Sequence, residues 1–170
     1  RLIRERGFLQ MDHTWNMYPE SSFFEKEIRK GFEVSEMRKH IWAIELDMAN
    51  RLITVCRENN LRIFADAGTM LGAVRHKGFI PWDDDMDFAM FREDYDKLCA
   101  IAPRYFQTPY FFQNVYTDKK YIHGHAQIRN SFTTGILVGE EDKEFNQGIF
   151  IDLFVLESVS SDKERLERQR

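Results

Sequence analysis

Between residues 36 and 59 the apolar positions Met37, Ile41, Ile44, Met48, Leu52 and Val55 recur at steps of three and four. That spacing predicts one long amphipathic helix, with Ser35 placed to cap its start and Asn59-Asn60 to stop it. Upstream, residues 1–34 have no clean period. Phe8, Trp15, Tyr18, Phe23 and Phe24 alternate irregularly with charges, which predicts an extended or partly helical arm packed on the domain. Downstream, Arg62-Ile63-Phe64-Ala65 reads as a short strand ending at Asp66-Ala67-Gly68. A short helix is expected over 69–76, then a loop over 77–82 punctuated by Gly78 and Pro81. Residues 85–91 alternate polar and apolar, as a half-buried strand does. A helix over 93–101 is expected to close at Pro103. Further strands are expected over 110–116, 121–128, 133–138 and 148–156. The sum is an α+β fold: an N-terminal arm over 1–34, then a domain over 35–170 with a mixed sheet flanked by helices.

Composition narrows the function classes. Hydrophobic residues make up 43% and charged residues 31% of 170, enough for one domain with a real core. The formal net charge of −4 argues against a nucleic-acid partner, since phosphate-backbone binders carry a basic surplus. Cys56 and Cys99 lie in apolar-periodic segments without metal-ligand spacing, so both are expected as reduced core thiols. No run is apolar and long enough to span a bilayer, and no signal-peptide pattern opens the chain. A cytoplasmic protein is expected. A start at Arg1 and an end at Glu167-Arg168-Gln169-Arg170 read as a piece of a longer protein, truncated at its C-terminal side.

The chemistry concentrates in Asp83-Asp84-Asp85-Met86-Asp87-Phe88. On a strand, Asp83, Asp85 and Asp87 share one face and Met86 and Phe88 the other. Carboxylates that close repel unless a cation sits between them, and hard oxygen ligands favour magnesium or manganese. An EF-hand calcium loop opens with similar acids, but its sixth position must be Gly and here is Phe88; its twelfth is Asp94 rather than Glu. Asp152 stands alone in the apolar run Gly148-Ile149-Phe150-Ile151-Asp152-Leu153-Phe154. A carboxylate there is costly to bury unless paired or bound to metal, and a neighbouring strand would present it to the same ion. Gly68-Thr69, at a helix start, offers backbone N–H groups and a hydroxyl suited to phosphate. Arg75, His76 and Lys77 form a basic knot for phosphate oxygens, or else an ordinary cationic helix end. His123 and His125 share a strand face, a weak metal-pair pattern. Tyr110, Phe111, Phe112 and Tyr116 have the spacing of a strand core more than that of a cage for a cationic headgroup.

The run from Gly68-Thr69 through Leu71-Gly72-Ala73-Val74-Arg75-His76, Gly78-Phe79-Ile80-Pro81-Trp82 and Asp83-Asp84-Asp85 to Asp87 resembles the signature of the LicD family. Arg92-x-Asp94-Tyr95, Ile128-Arg129-Asn130 and Gly148-Ile149-Phe150-Ile151-Asp152 follow in the same order as further family-like blocks. The family transfers phosphocholine onto cell-surface glycans such as lipopolysaccharide, and fukutin-type ribitol-phosphate transferases are related to it. The resemblance implies a nucleotidyltransferase-like fold. Gly68-Thr69 would be its phosphate turn, Asp85 and Asp87 its acid pair, Asp152 its third catalytic acid and Asp83 an added metal ligand. Family members often carry Lys where this chain has Gln127. Gln127 and Arg129 are therefore the expected substrate contacts in that block.

The activity so implied is metal-dependent transfer of a phospho-alcohol from a CDP-linked donor to a hydroxyl of a glycan or lipid-linked glycan, with CMP leaving. Mg2+ or Mn2+ would be the cofactor, and the membrane association peripheral. A nucleotide-sugar glycosyltransferase also uses an Asp-x-Asp metal site, but residues 1–61 show one helix and no βαβ repeat. A non-catalytic binding module of the same fold would have no reason to retain mutually repelling carboxylates.

Overall fold

A computed structural model describes residues 19–164 and residue 167 of the chain. After a 3-10 turn, Ser21–Phe24, a hairpin forms from β1 (Glu27–Arg29) and β2 (Phe32–Val34). Lys30 and Gly31 at its tip both have positive φ, 54° and 79°, the geometry of a two-residue hairpin turn whose twist matches the strands. The described part of the expected arm is thus a turn and a hairpin, and Phe8, Trp15 and Tyr18 lie outside the described residues. Glu27 is bonded by Arg29 and then by Lys39, which together hold its carboxyl at about 2. The Lys39 ammonium also donates to the main-chain oxygen of Glu25 at 2.5 Å, fastening the hairpin to the following helix.

That helix, α1 (Glu36–Glu58), starts where expected: the Ser35 hydroxyl accepts from the Arg38 N–H at 3.2 Å. Ile41, Met48, Leu52 and Val55 are buried and Ile44 packs against the core, whereas Met37 in the first turn is 42% exposed. The chain continues through β3 (Phe64–Ala65), α2 (Ala67–His76), β4 (Asp87–Phe91), α3 (Arg92–Tyr105), β5 (Tyr110–Gln113), β6 (Ala126–Asn130) and β7 (Ile149–Leu156). The main sheet has the order β3-β4-β7-β6-β5, with β4 and β7 parallel and every other neighbour antiparallel. The α+β class and the mixed sheet are as read from the sequence.

Several boundaries differ. α2 opens at Ala67, so Gly68 and Thr69 lie inside its first turn. β4 begins at Asp87, so Asp83 and Asp85 sit on an irregular lead-in and not on a regular strand. Pro103 lies inside α3, which runs on to Tyr105. A proline in a last turn removes one hydrogen bond without needing to break the helix. Of the expected strand over 121–128 only 126–128 is extended pairing, as the start of β6. The expected strand over 133–138 is a loop with one bridge, held by turns such as Thr133 N–H to Asn130 O at 3.1 Å.

Two faces of the sheet divide the work. Phe88, Met90, Ala126, Ile128, Ile149, Ile151 and Leu153 point to one side and bury against α1 and α3, with Leu98 and Ala102. Cys56 is fully buried in this core, where burial first and Asp94 second push its thiol up to about 12. Cys99 packs at the edge. Period-two alternation then sends Asp87, Asp152, Gln127 and Arg129 to the opposite face.

Candidate active site

The register of the sheet sets the site. Asp87 on β4 and Asp152 on β7 are direct partners across the parallel pair, and Gln127 on β6 is the partner of Asp152 on its other side. Gln113 on β5 completes the row. At the other end of the row, the Asp66 N–H donates to the Asp87 carbonyl at 3.0 Å. Two carboxylates are thereby placed side by side on one face by backbone pairing alone, each half-buried.

The helix start is tied to the same point. The Thr69 hydroxyl accepts the Asp87 N–H at 2.7 Å, so the Gly-Thr turn and the first residue of β4 move as one unit. At Gly68 an added Cβ would lie 2.6 Å from Asp83 Oδ2, so the two residues are in close contact. The Asp83 carboxylate therefore rests on the first turn of α2, where N–H dipoles favour negative charge. Trp42 anchors this lead-in from below, donating from Nε1 to the Asp83 carbonyl at 2.9 Å while its ring stacks on Phe79 at 4.6 Å. Trp82, in contrast, is 52% exposed and meets Phe32 and His76 edge-on.

Asp152 is held by two side chains. Gln127 Nε2 donates to its Oδ1 at 2.7 Å, and His125 Nε2 lies 3.1 Å from the same oxygen. His125 in turn packs on Phe154, ring centroids 4.6 Å apart. It lies on the loop leading into β6, two positions before Gln127, and reaches Asp152 through the pairing of β6 with β7. Its neighbour His123 faces a different carboxylate: Nε2 sits 2.9 Å from Glu140 Oε1, at an angle that is not a hydrogen bond. The two rings lie with centroids 5.5 Å apart, each beside its own carboxylate.

Other expected contacts fall elsewhere. Arg129 is 1% exposed, and its donors go to Gln113 Oε1 at 2.5 Å, Gln127 Oε1 at 2.5 Å and the Gly148 carbonyl at 2.7 Å. Phe150 and Phe145 cover its guanidinium at 4.4 and 5.6 Å. It is a brace behind the site, not a surface that a substrate reaches. Arg75, His76 and Lys77 lie at the C-terminal end of α2, eight residues or roughly 12 Å along the axis from Gly68. There Arg75 Nε donates to His76 Nε2 at 2.8 Å and Lys77 Nζ to the Val74 carbonyl at 3.1 Å. Burial, and then the charges of Arg75 and Lys30, hold His76 below its ordinary value. That direction agrees with its Nε2 accepting the bond from Arg75. Of the aromatic group, Phe112 is buried and Tyr110 donates its hydroxyl to Asp47 at 2.6 Å, while Tyr116 is 88% exposed.

What gathers at one sheet end is thus Thr69, Asp83, Asp87, Gln127 and Asp152, with Asp85 on the lead-in. Asp87 and Asp152 supply hard oxygen donors, the donor chemistry that suits magnesium or manganese. Among the described residues, no group of three or more His, Cys, Asp or Glu side chains lies close enough together to hold a metal ion.

Residues 60–164 match the family described as LicD/FKTN/FKRP, nucleotidyltransferase domain. The chain is 26% identical over 118 residues to a protein of Haemophilus influenzae named lipopolysaccharide cholinephosphotransferase LicD, covering 69% of this chain and 43% of that protein. Over 53 residues it is 45% identical to an uncharacterized protein of Rickettsia prowazekii and 43% identical to one of Rickettsia typhi, covering 31% of this chain in each case and 20% and 17% of those proteins. The chain spans less than half the length of the curated relatives it matches. Among the described residues no helix is long and apolar enough to cross a membrane.

Proposed function

The chain belongs to the LicD/FKTN/FKRP nucleotidyltransferase-domain family, and from that premise we propose that it transfers a phospho-alcohol, phosphocholine in the first instance, from a CDP-linked donor to a hydroxyl of a cell-surface glycan. The name of the Haemophilus relative supports the transferred group and the lipopolysaccharide acceptor. The observation that carries the chemistry is the in-register pair Asp87–Asp152, tied through the Asp87 N–H to Thr69.

Asp87 and Asp152 would hold Mg2+ or Mn2+, with Asp83 and Asp85 as further oxygen donors. When bound, the dication neutralises charge on the phosphate oxygens and on the departing nucleotide. The protein's own share is positioning. The first turn of α2 offers N–H groups at Gly68 and Thr69 to a phosphate. The sheet keeps both carboxylates on a rigid element, and Gln127 and His125 fix the orientation of Asp152. A hydroxyl of the acceptor approaches the phosphorus nearer the alcohol, its proton passes to a nearby base, and CMP departs. The basic end of α2, with Arg75 and Lys77, is far enough from the acids to meet the distal part of a nucleotide donor.

Asp87→Asn tests this. The substitution keeps size and pairing while removing one charge. With CDP-choline, Mg2+ and a lipopolysaccharide acceptor, transfer is expected to fall by at least a hundred-fold with an unchanged melting temperature. A folded variant with most of its activity would refute the assignment.

A further inference from the structure

Asp152 receives both of its side-chain contacts on one oxygen. Gln127 Nε2 and His125 Nε2 converge on Oδ1, at 2.7 and 3.1 Å, and Oδ2 takes neither. The amide of Gln127 has its orientation fixed from behind. Its Oε1 accepts from Arg129 Nη2, so its nitrogen must be the group turned to Asp152. Arg129 is itself immobilised by Gln113 Oε1 and the Gly148 carbonyl. Gln127 and Arg129 are 1% exposed and so have no solvent to substitute for a lost partner.

We infer that Gln127 and His125 are positioning residues for Asp152, fixing the orientation of the carboxylate that it offers to a divalent cation. The inference rests on the assignment of Asp87 and Asp152 as the cation-binding pair. Two bonds on Oδ1 fix both the tilt of the carboxylate and which oxygen is left for a ligand. Partners of this kind, which hold a ligating group in place, are commonly worth ten- to a hundred-fold in metal affinity.

The test is calorimetric titration of Mn2+ into the chain and its variants, with a melting curve for each. His125→Phe and Gln127→Leu are each expected to weaken Mn2+ binding about ten- to a hundred-fold. His125→Gln, which keeps a nitrogen donor, is expected to recover most of the loss. Gln127→Leu strips a partner from Arg129 and is the variant at risk of misfolding. His125 is partly exposed and packs on Phe154, so His125→Phe carries the test alone if needed. Wild-type affinity in a folded His125→Phe overturns the positioning role while leaving the carboxylate pair as the cation site. If the unaltered chain binds no Mn2+, the cation assignment and this inference fall together.

Discussion

At Thr69 one hydroxyl joins two motifs that lie eighteen residues apart, by accepting the N–H of Asp87. Thr69→Val keeps the shape and removes the acceptor. A half-buried N–H deprived of its acceptor costs about 1–3 kcal/mol, and Thr69→Ser should recover most of it. Urea unfolding of the three proteins measures this, and equal stability of the Val variant would disprove the link. Asp152 shows what a sequence can say at this scale. A lone acid inside an apolar strand needs a partner, and that alone singled it out. Which partner it has could not be read, because Gln127 and His125 reach it across a strand pairing that no local pattern specifies. Arg129 shows the opposite case: a guanidinium suggests a phosphate contact, but closure of Phe145 and Phe150 over it is a tertiary event.

Among the elements, α1 was the most legible, because twenty-three residues of consistent period leave little ambiguity and Ser35 marks the start. Its stripe faces β6 and β7, and Leu52 is fully buried. Leu52→Ala is expected to cost about 2–5 kcal/mol, readable as a shift of the urea midpoint. The hairpin of β1 and β2 was missed since three-residue strands carry almost no periodicity, although Lys30-Gly31 is a usable turn signal. The site segment was legible as chemistry and less so as geometry. Asp83 and Asp85 lie on a lead-in whose path is set by the Trp42 bond and the turn at Ile80, not by a strand.

The start of α3 is fastened by Asp94, whose carboxylate accepts from Arg62 Nε at 2.6 Å and from the Arg62 N–H at 3.3 Å. The Arg62 guanidinium chiefly holds that carboxyl below its ordinary range. A lowered folded value means the bond stabilises the fold above the unfolded value, about 3.9, and is lost as pH falls through the folded one. Asp94→Asn should therefore be less stable than the parent at pH 7, and the gap should close below about pH 4. Urea midpoints at pH 7, 4 and 3 check this, and a gap independent of pH would contradict it.

Across the whole molecule, one sheet face is spent on a core against α1 and α3, while the other carries a polar row from Asp66 through Asp87, Asp152 and Gln127 to Gln113. Parallel pairing of β4 with β7 brings together acids sixty-five positions apart, and the antiparallel neighbours supply the groups that steady them. The most direct measurement is an anomalous-difference map from crystals soaked in Mn2+. A peak within coordination distance of both the Asp87 and Asp152 carboxylates is the predicted result. No peak there at millimolar Mn2+, or one that touches neither residue, would contradict the assignment.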